Sequence, residues 1–114
     1  MAGKFVISKT SNGKFHFVLK AGNGEVILQS QMYGALADAR NGTESVRRNA
    51  ADEKRFQKLE SKRGEPYFTL TATNGQVIGT SEMYSSAASR DNGIASVRRN
   101  APDAKLDDSA ATSA

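Results

Sequence analysis

NGTESVRRNA, residues 41–50, returns as NGIASVRRNA at residues 92–101, and NGEVILQSQMY (23–33) returns as NGQVIGTSEMY (74–84). Both pairs share an offset of 51, so 4–50 lies over 55–101 without a gap, with 21 identities in 47 positions. Two copies are too few for an open solenoid, which needs roughly three or more. A pair closes instead on itself about a pseudo-two-fold axis, the covalent counterpart of a dimer joined through identical surfaces. Each unit alone has about 50 residues and sits at the margin of independent stability. The two are therefore expected to share a sheet or a core, as repeat 1 (about 3–52) and repeat 2 (about 53–106) of a single domain over 1–114, with 107–114 a disordered tail.

Outward from the repeated blocks, one unit reads as three strands and a helix. Residues 4–10, 14–21 and 25–30 are strand-like, with turn chemistry at Asn12-Gly13 and Asn23-Gly24. A two-residue turn at Asn23-Gly24 sets Ala21 opposite Val26 and Leu19 opposite Leu28, which places Phe17, Leu19, Val26 and Leu28 on one buried face. Val18 and Ile27 fall on the other face, with His16 and Lys20. In the second copy the strands are 55–61, 67–72 and 76–81, and Phe56, Phe68, Leu70 and Val77 are the matching core residues. Leu36, Ala39, Thr43, Val46 and Ala50 then follow helical spacing, as do Ala87, Ile94, Val97 and Ala101, predicting helices over about 34–50 and 85–101. Ser85 or Ser86 is the candidate cap of the second. Gly42 and Gly93 stand inside these helices at a cost of ~1 kcal/mol relative to Ala, which points to close packing on the sheet. The competing reading ends a short helix at that Gly and makes 45–49 a strand; the lack of alternation over 43–50 favours the helix.

The composition is that of a soluble domain, 38% hydrophobic and 25% charged, with net charge +4 and a pI near 9.6. Cys is absent, so disulfides, thiolate metal sites and cysteine nucleophiles are excluded. No apolar run suits a signal peptide or the ~20 residues of a membrane span, and a cytoplasmic monomer is the expectation.

The twice-present pattern NG-x-V-I, S-x-M-Y and NG-[TI]-x-SVRRNA resembles the YegP-like family of uncharacterised bacterial proteins, over about residues 3–106. The resemblance implies a β(3)-α-β unit used twice in one α+β fold: a shared antiparallel sheet, two helices packed on it and pseudo-two-fold symmetry, like a fused form of the dimers that single-unit members make. It also implies that the last strand of each unit crosses to the other, near Glu53–Phe56 and Ala104–Leu106. It brings no established activity.

Duplication filters the candidate chemistry, because a site repeated by symmetry uses residues present in both copies. His16, the only His, aligns with Tyr67 and is expected as a surface or half-buried strand residue; one His cannot build a histidine-rich metal centre. Among aligned carboxylates only Asp52/Asp103 recurs, in a turn, so paired acid–base catalysis has no symmetrical support. Neither G-x-S-x-G nor a phosphate-binding G-x-x-x-x-G-K-[ST] loop occurs. No catalytic residue, metal or cofactor is expected. The recurring polar residues are Arg47/Arg98, Arg48/Arg99, Asn49/Asn100, Tyr33/Tyr84, Ser30/Ser81 and Ser45/Ser96, with Lys4/Arg55 beside them. Arg47, Arg48, Arg98, Arg99, Asn49, Asn100, Tyr33 and Tyr84 are the candidate anion- or partner-binding set, since paired guanidinium groups suit phosphate and carboxylate. The same Arg also suit a helix C-terminus, where they complement the dipole, and the Tyr suit packing at a strand-to-helix corner. The function expected is a small non-catalytic binding module for an anionic ligand or a protein partner. The alternative is weak nucleic-acid binding, which would need aromatics interleaved with basic residues on an open sheet face.

Overall fold

The computed structural model describes residues 3–112. Strands β1 (Lys4–Lys9), β2 (Phe15–Lys20) and β3 (Val26–Gln29) precede helix α1 (Leu36–Asn49); β4 (Phe56–Glu60), β5 (Pro66–Thr71) and β6 (Val77–Thr80) precede α2 (Ala87–Asn100). A last strand, β7 (Lys105–Asp107), and a short helix, α3 (Ser109–Thr112), end the described chain. All seven strands form one sheet in the order β4-β5-β6-β3-β2-β1-β7. The two repeats meet at its centre, where β3 pairs with β6 through Gln29 and Thr80. This is the expected α+β fold of two packed β(3)-α units.

The helices form because their apolar positions recur at helical spacing. α1 turns Ala39, Thr43 and Val46 inward, and α2 turns Ile94 and Val97 inward. Both cover the same sheet face, joining Phe5, Ile7, Phe17, Leu19, Leu28, Phe68 and Leu70 in one cluster. Ser86 caps α2, accepting a hydrogen bond from the Ser89 amide at 3.1 Å. Each helix runs unbroken through its internal glycine, so no strand forms at 45–49. A side chain at Gly42 would meet the Tyr33 hydroxyl at 2.6 Å, and one at Gly93 would meet Tyr84 Cζ at 2.7 Å. Those tyrosines stack on Phe17 and Phe68, with centroids 6.1 and 6.2 Å apart.

Several expectations need correction. The turn at Asn23-Gly24 is longer than two residues: the Ala21 amide donates to the Glu25 carbonyl (2.8 Å), and Gly24 takes φ of 87°. Lys20 therefore faces Val26, and a bulge at Leu19/Lys20 restores the expected Leu19–Leu28 pair. The equivalent bulge at Leu70/Thr71 leaves Val77 at the strand end, 42% exposed rather than in the core. Ala87, at the start of α2, is likewise exposed. The sheet is mixed, because β7 arrives from α2 and runs parallel to β1, with Phe5 opposite Leu106. Among the described residues only this strand crosses between repeats. Residues Glu53–Phe56, expected to cross in the other direction, do not: Glu53–Arg55 form a 3-10 turn capped by Asp52 that leads straight into β4 at Phe56. Much of the segment expected to be disordered is ordered: α3 lies against β1, Asp107 accepts from the Ser109 amide and hydroxyl (3.1 and 2.7 Å), and Asp108 pairs with Arg40. Residues 113 and 114 lie outside the described residues.

Candidate anion-binding clefts

Most of the recurring polar residues hold the same internal bonds in both halves. Ser30 Oγ accepts from the Phe17 amide and Ser81 Oγ from the Phe68 amide, both at 2.9 Å. Asn49 Nδ2 donates to the Ser45 carbonyl (2.8 Å) and hydroxyl (3.2 Å); Asn100 repeats this with Ser96 at the same distances. Both Asn are buried at the last helical turn, where each amide bonds back onto the carbonyl and hydroxyl of the serine four residues earlier. Tyr33 and Tyr84 are half-buried spacers between helix and sheet, and burial lifts both phenols above their ordinary pKa, so they stay neutral. These six residues do structural work, which is why they recur.

The four Arg divide. Arg47 hydrogen-bonds the Ala104 carbonyl, approaches Glu44 at 3.2 Å and lies 5.4 Å over the Phe5 ring. It pins the approach to β7. Arg48, Arg98 and Arg99 are exposed and take part in none of the side-chain hydrogen bonds or ion pairs among the described residues. Identical Arg-Arg pairs thus differ in role, because β7 covers only repeat 1.

Two pseudo-equivalent clefts collect positive charge. The first, of about 400 Å³, is walled by Ser45, Arg48 and Asn49 of α1 and by Arg55, Ala72, Thr73 and Asn74 of repeat 2. Asp52 lies in it 3.5 Å from Arg55. The C-terminal turn of one repeat's helix thus meets the hairpin of the other. The second, of about 350 Å³, is lined by Gly3, Lys4, Lys20, Ala21, Gly22, Gly24 and Lys105. Gly3 adjoins Asn100 of α2 there, 3.2 Å from where a side chain would begin, so the same helix-end-to-hairpin meeting recurs. In this cleft Lys105, Lys4 and Lys20 stand in cross-strand register on three adjacent strands. Like charges directly opposite one another are unfavourable. Asp107, the nearby carboxylate, is held below the usual range first by its hydrogen bonds to Ser109 and then by Lys4 and Lys20. A third surface, beside Ala51 and Pro102, gathers Arg98 and Arg99.

The lysine row lay outside the sequence-derived set because Lys20 aligns with Thr71 and fails the duplication filter. Strand register would have found it, since Phe5 opposite Leu19 requires Lys4 opposite Lys20. His16 is half-buried on β2 opposite Ser8, and among the described residues no group of three His, Asp or Glu could hold a metal ion. Among the described residues no helix is long and apolar enough to cross a membrane.

The fold and its clefts define a class: tandem-repeat α+β proteins in which two copies of one unit share a sheet. The chain belongs to the family of a domain of unknown function, DUF1508, matched twice, over residues 10–57 and 61–108. It is 50% identical to a UPF0339 protein of Acinetobacter baylyi, covering 95% of this chain and 97% of the relative. It is 54% identical to one of Bordetella pertussis, covering 95% and 96%. The solution structure of a UPF0339 protein from Shewanella oneidensis matches with a TM-score of 0.89 at 53% identity, covering 95% of this chain and 92% of that one. The solution structure of yegP from E. coli, a protein of unknown function, matches at 0.90 and 48%, covering 96% and 94%. These names carry no activity.

Proposed function

We propose that this protein is a small non-catalytic binding module that takes an anionic ligand, or an acidic segment of a protein partner, in its paired clefts. The observation that carries the reading is the row Lys105–Lys4–Lys20, three ammonium groups side by side at the place equivalent to the Arg55 cleft. Such a row is unfavourable in the empty protein and is relieved by an anion. Arg48 and Arg55 offer the forked donors that suit phosphate or carboxylate. The same reading takes the protein as a cytoplasmic monomer without metal or cofactor. A single-stranded nucleic acid fits less well: of the five Phe and three Tyr, Phe5, Phe17 and Phe68 are buried, and Tyr33 and Tyr84 pack between helix and sheet.

The test is a titration of the labelled protein with inorganic polyphosphate, an oligoglutamate peptide and a single-stranded oligonucleotide, followed by amide chemical shifts. Polyphosphate or oligoglutamate is expected to move signals in 3–4, 20–24, 45–55 and 72–74, with a response that fades with added salt. Lys4→Gln with Arg48→Gln should abolish it. Arg47 is left intact, because its loss would loosen β7. Absence of any salt-sensitive response sinks the reading, and a response to the oligonucleotide alone replaces it with nucleic-acid binding.

A further inference from the structure

The two repeats differ most at their outer edges. β1 is covered: β7 pairs with it in parallel, and α3 lies against it. Beneath that cover Phe5, Ile7 and Thr43 are fully buried, Ala104 is nearly so and Ala111 joins the core. Arg47 holds the Ala104 carbonyl, and Arg40 Nε holds Asp108 at 2.9 Å. At the offset of 51, the counterparts of Phe5, Ile7, Arg40 and Thr43 are Phe56, Lys58, Asp91 and Ile94. With Glu53, these four line an open groove of about 200 Å³ beside β4. β4 is the terminal strand of the sheet, with no strand beyond it among the described residues, and Phe56 is only half-buried. Among the described residues no segment fills this position, because the Glu53–Arg55 turn delivers α1 directly into β4.

We infer that the open edge of β4 takes an extended segment of a partner protein as an added parallel strand, in the place that Lys105–Asp107 holds beside β1. An exposed strand edge offers unpaired backbone groups that such a segment satisfies, and alternate side chains then set specificity. The internal template specifies the chemistry. An apolar residue faces Phe56, as Leu106 faces Phe5. Two residues later stands a lysine or arginine, because Asp91 occupies the place of Arg40, the partner of Asp108. The reversal of charge also argues against a second copy of this chain donating its own β7 and α3, which would bring Asp108 against Asp91. Lys58, paired with Asp91 at 3.2 Å, puts a charge where β1 has Ile7, and inward-pointing charges of this kind keep vacant edges from pairing with one another.

The test uses the labelled full chain and two synthetic peptides. One has the sequence of residues 103–112; the other is the same with Asp108→Lys. The lysine peptide is expected to shift the amide signals of Phe56–Glu60 and of 91–94 saturably, and to bind ~10-fold more tightly than the unmodified peptide, a difference of about 1.4 kcal/mol. In the Asp91→Arg variant, a surface change that leaves the spectrum dispersed, the preference should reverse in favour of the unmodified peptide. Three results overturn the inference: no shift on β4 with either peptide, shifts confined to β1 and Lys105–Asp107 as the peptide displaces β7, or concentration-dependent shifts on β4 without peptide, which mark self-association. Lys4→Gln and Arg48→Gln leave this response unchanged, so it stands or falls independently of the clefts.

Discussion

Tyr33 and Tyr84 explain why glycine sits in the middle of both long helices. Each ring stacks on a core Phe and points its hydroxyl at the helix backbone, leaving no room for a Cβ. Gly93→Ala should therefore lower stability by up to about 2 kcal/mol, an overpacking cost of about 1–3 kcal/mol less the ~1 kcal/mol that Ala gains in helix propensity. Urea unfolding of Gly93→Ala with and without Tyr84→Phe checks this, and loss of the hydroxyl should restore part of the deficit. A repeated glycine inside a helix was legible from sequence as a sign of close packing; its partner was not, because Tyr84 reaches the helix only through the fold. The polar residues show the converse. Recurrence picked out Asn49, Asn100, Ser30 and Ser81, and their internal bonds account for all four. Arg47 and Arg98 read alike in sequence, yet Arg47 is engaged by Ala104 and Phe5 while Arg98 is exposed.

At the level of elements, periodicity located the strands and both helices, because alternation and the helical stripe each answer to one buried face. It misjudged connections. The hairpin at 22–24 adds a residue that a downstream bulge takes up, and only the sum of the two appears as the Leu19–Leu28 pair. α3 and its approach were harder still: Asp107, Asp108 and a run of small residues look disordered by composition, and their order comes from contacts with β1 and Arg40 far away in sequence. That order is sensitive to acid. Asp107 is depressed by its hydrogen bonds to Ser109 and by the neighbouring lysines, so between the ordinary carboxylate pKa of ~3.9 and its lower folded value the unfolded chain binds more protons than the native one. The stability it contributes is present above that window and is lost as pH falls through it. Asp107→Asn should flatten the acid limb of a stability-versus-pH curve while leaving the neutral plateau lower, with Ser109 exchange as a local readout.

Across the whole molecule, the two halves join at the seam through one registered pair, Gln29 with Thr80, at the outer edge through β7, which crosses to β1, and through helices that bridge the seam: α1 contacts β1 and β2 of its own repeat and β5 and β6 of the other, and α2 contacts β3 as well as β5. At the centre Leu28 fits against Gly79, where a Cβ would lie 2.6 Å from the leucine. Gly79→Ala should cost about 1–3 kcal/mol by overpacking, and chemical denaturation of the Leu28→Ala, Gly79→Ala double variant should show strong non-additivity, because the smaller side chain vacates the contested space. Positions 28 and 79 are counterparts at the offset that relates the repeats. A gene stitched from two first halves would therefore meet itself leucine to leucine, and one stitched from two second halves would bring glycine to glycine around a void. The duplicated halves are like a left and a right glove: nearly the same in shape, and no longer interchangeable.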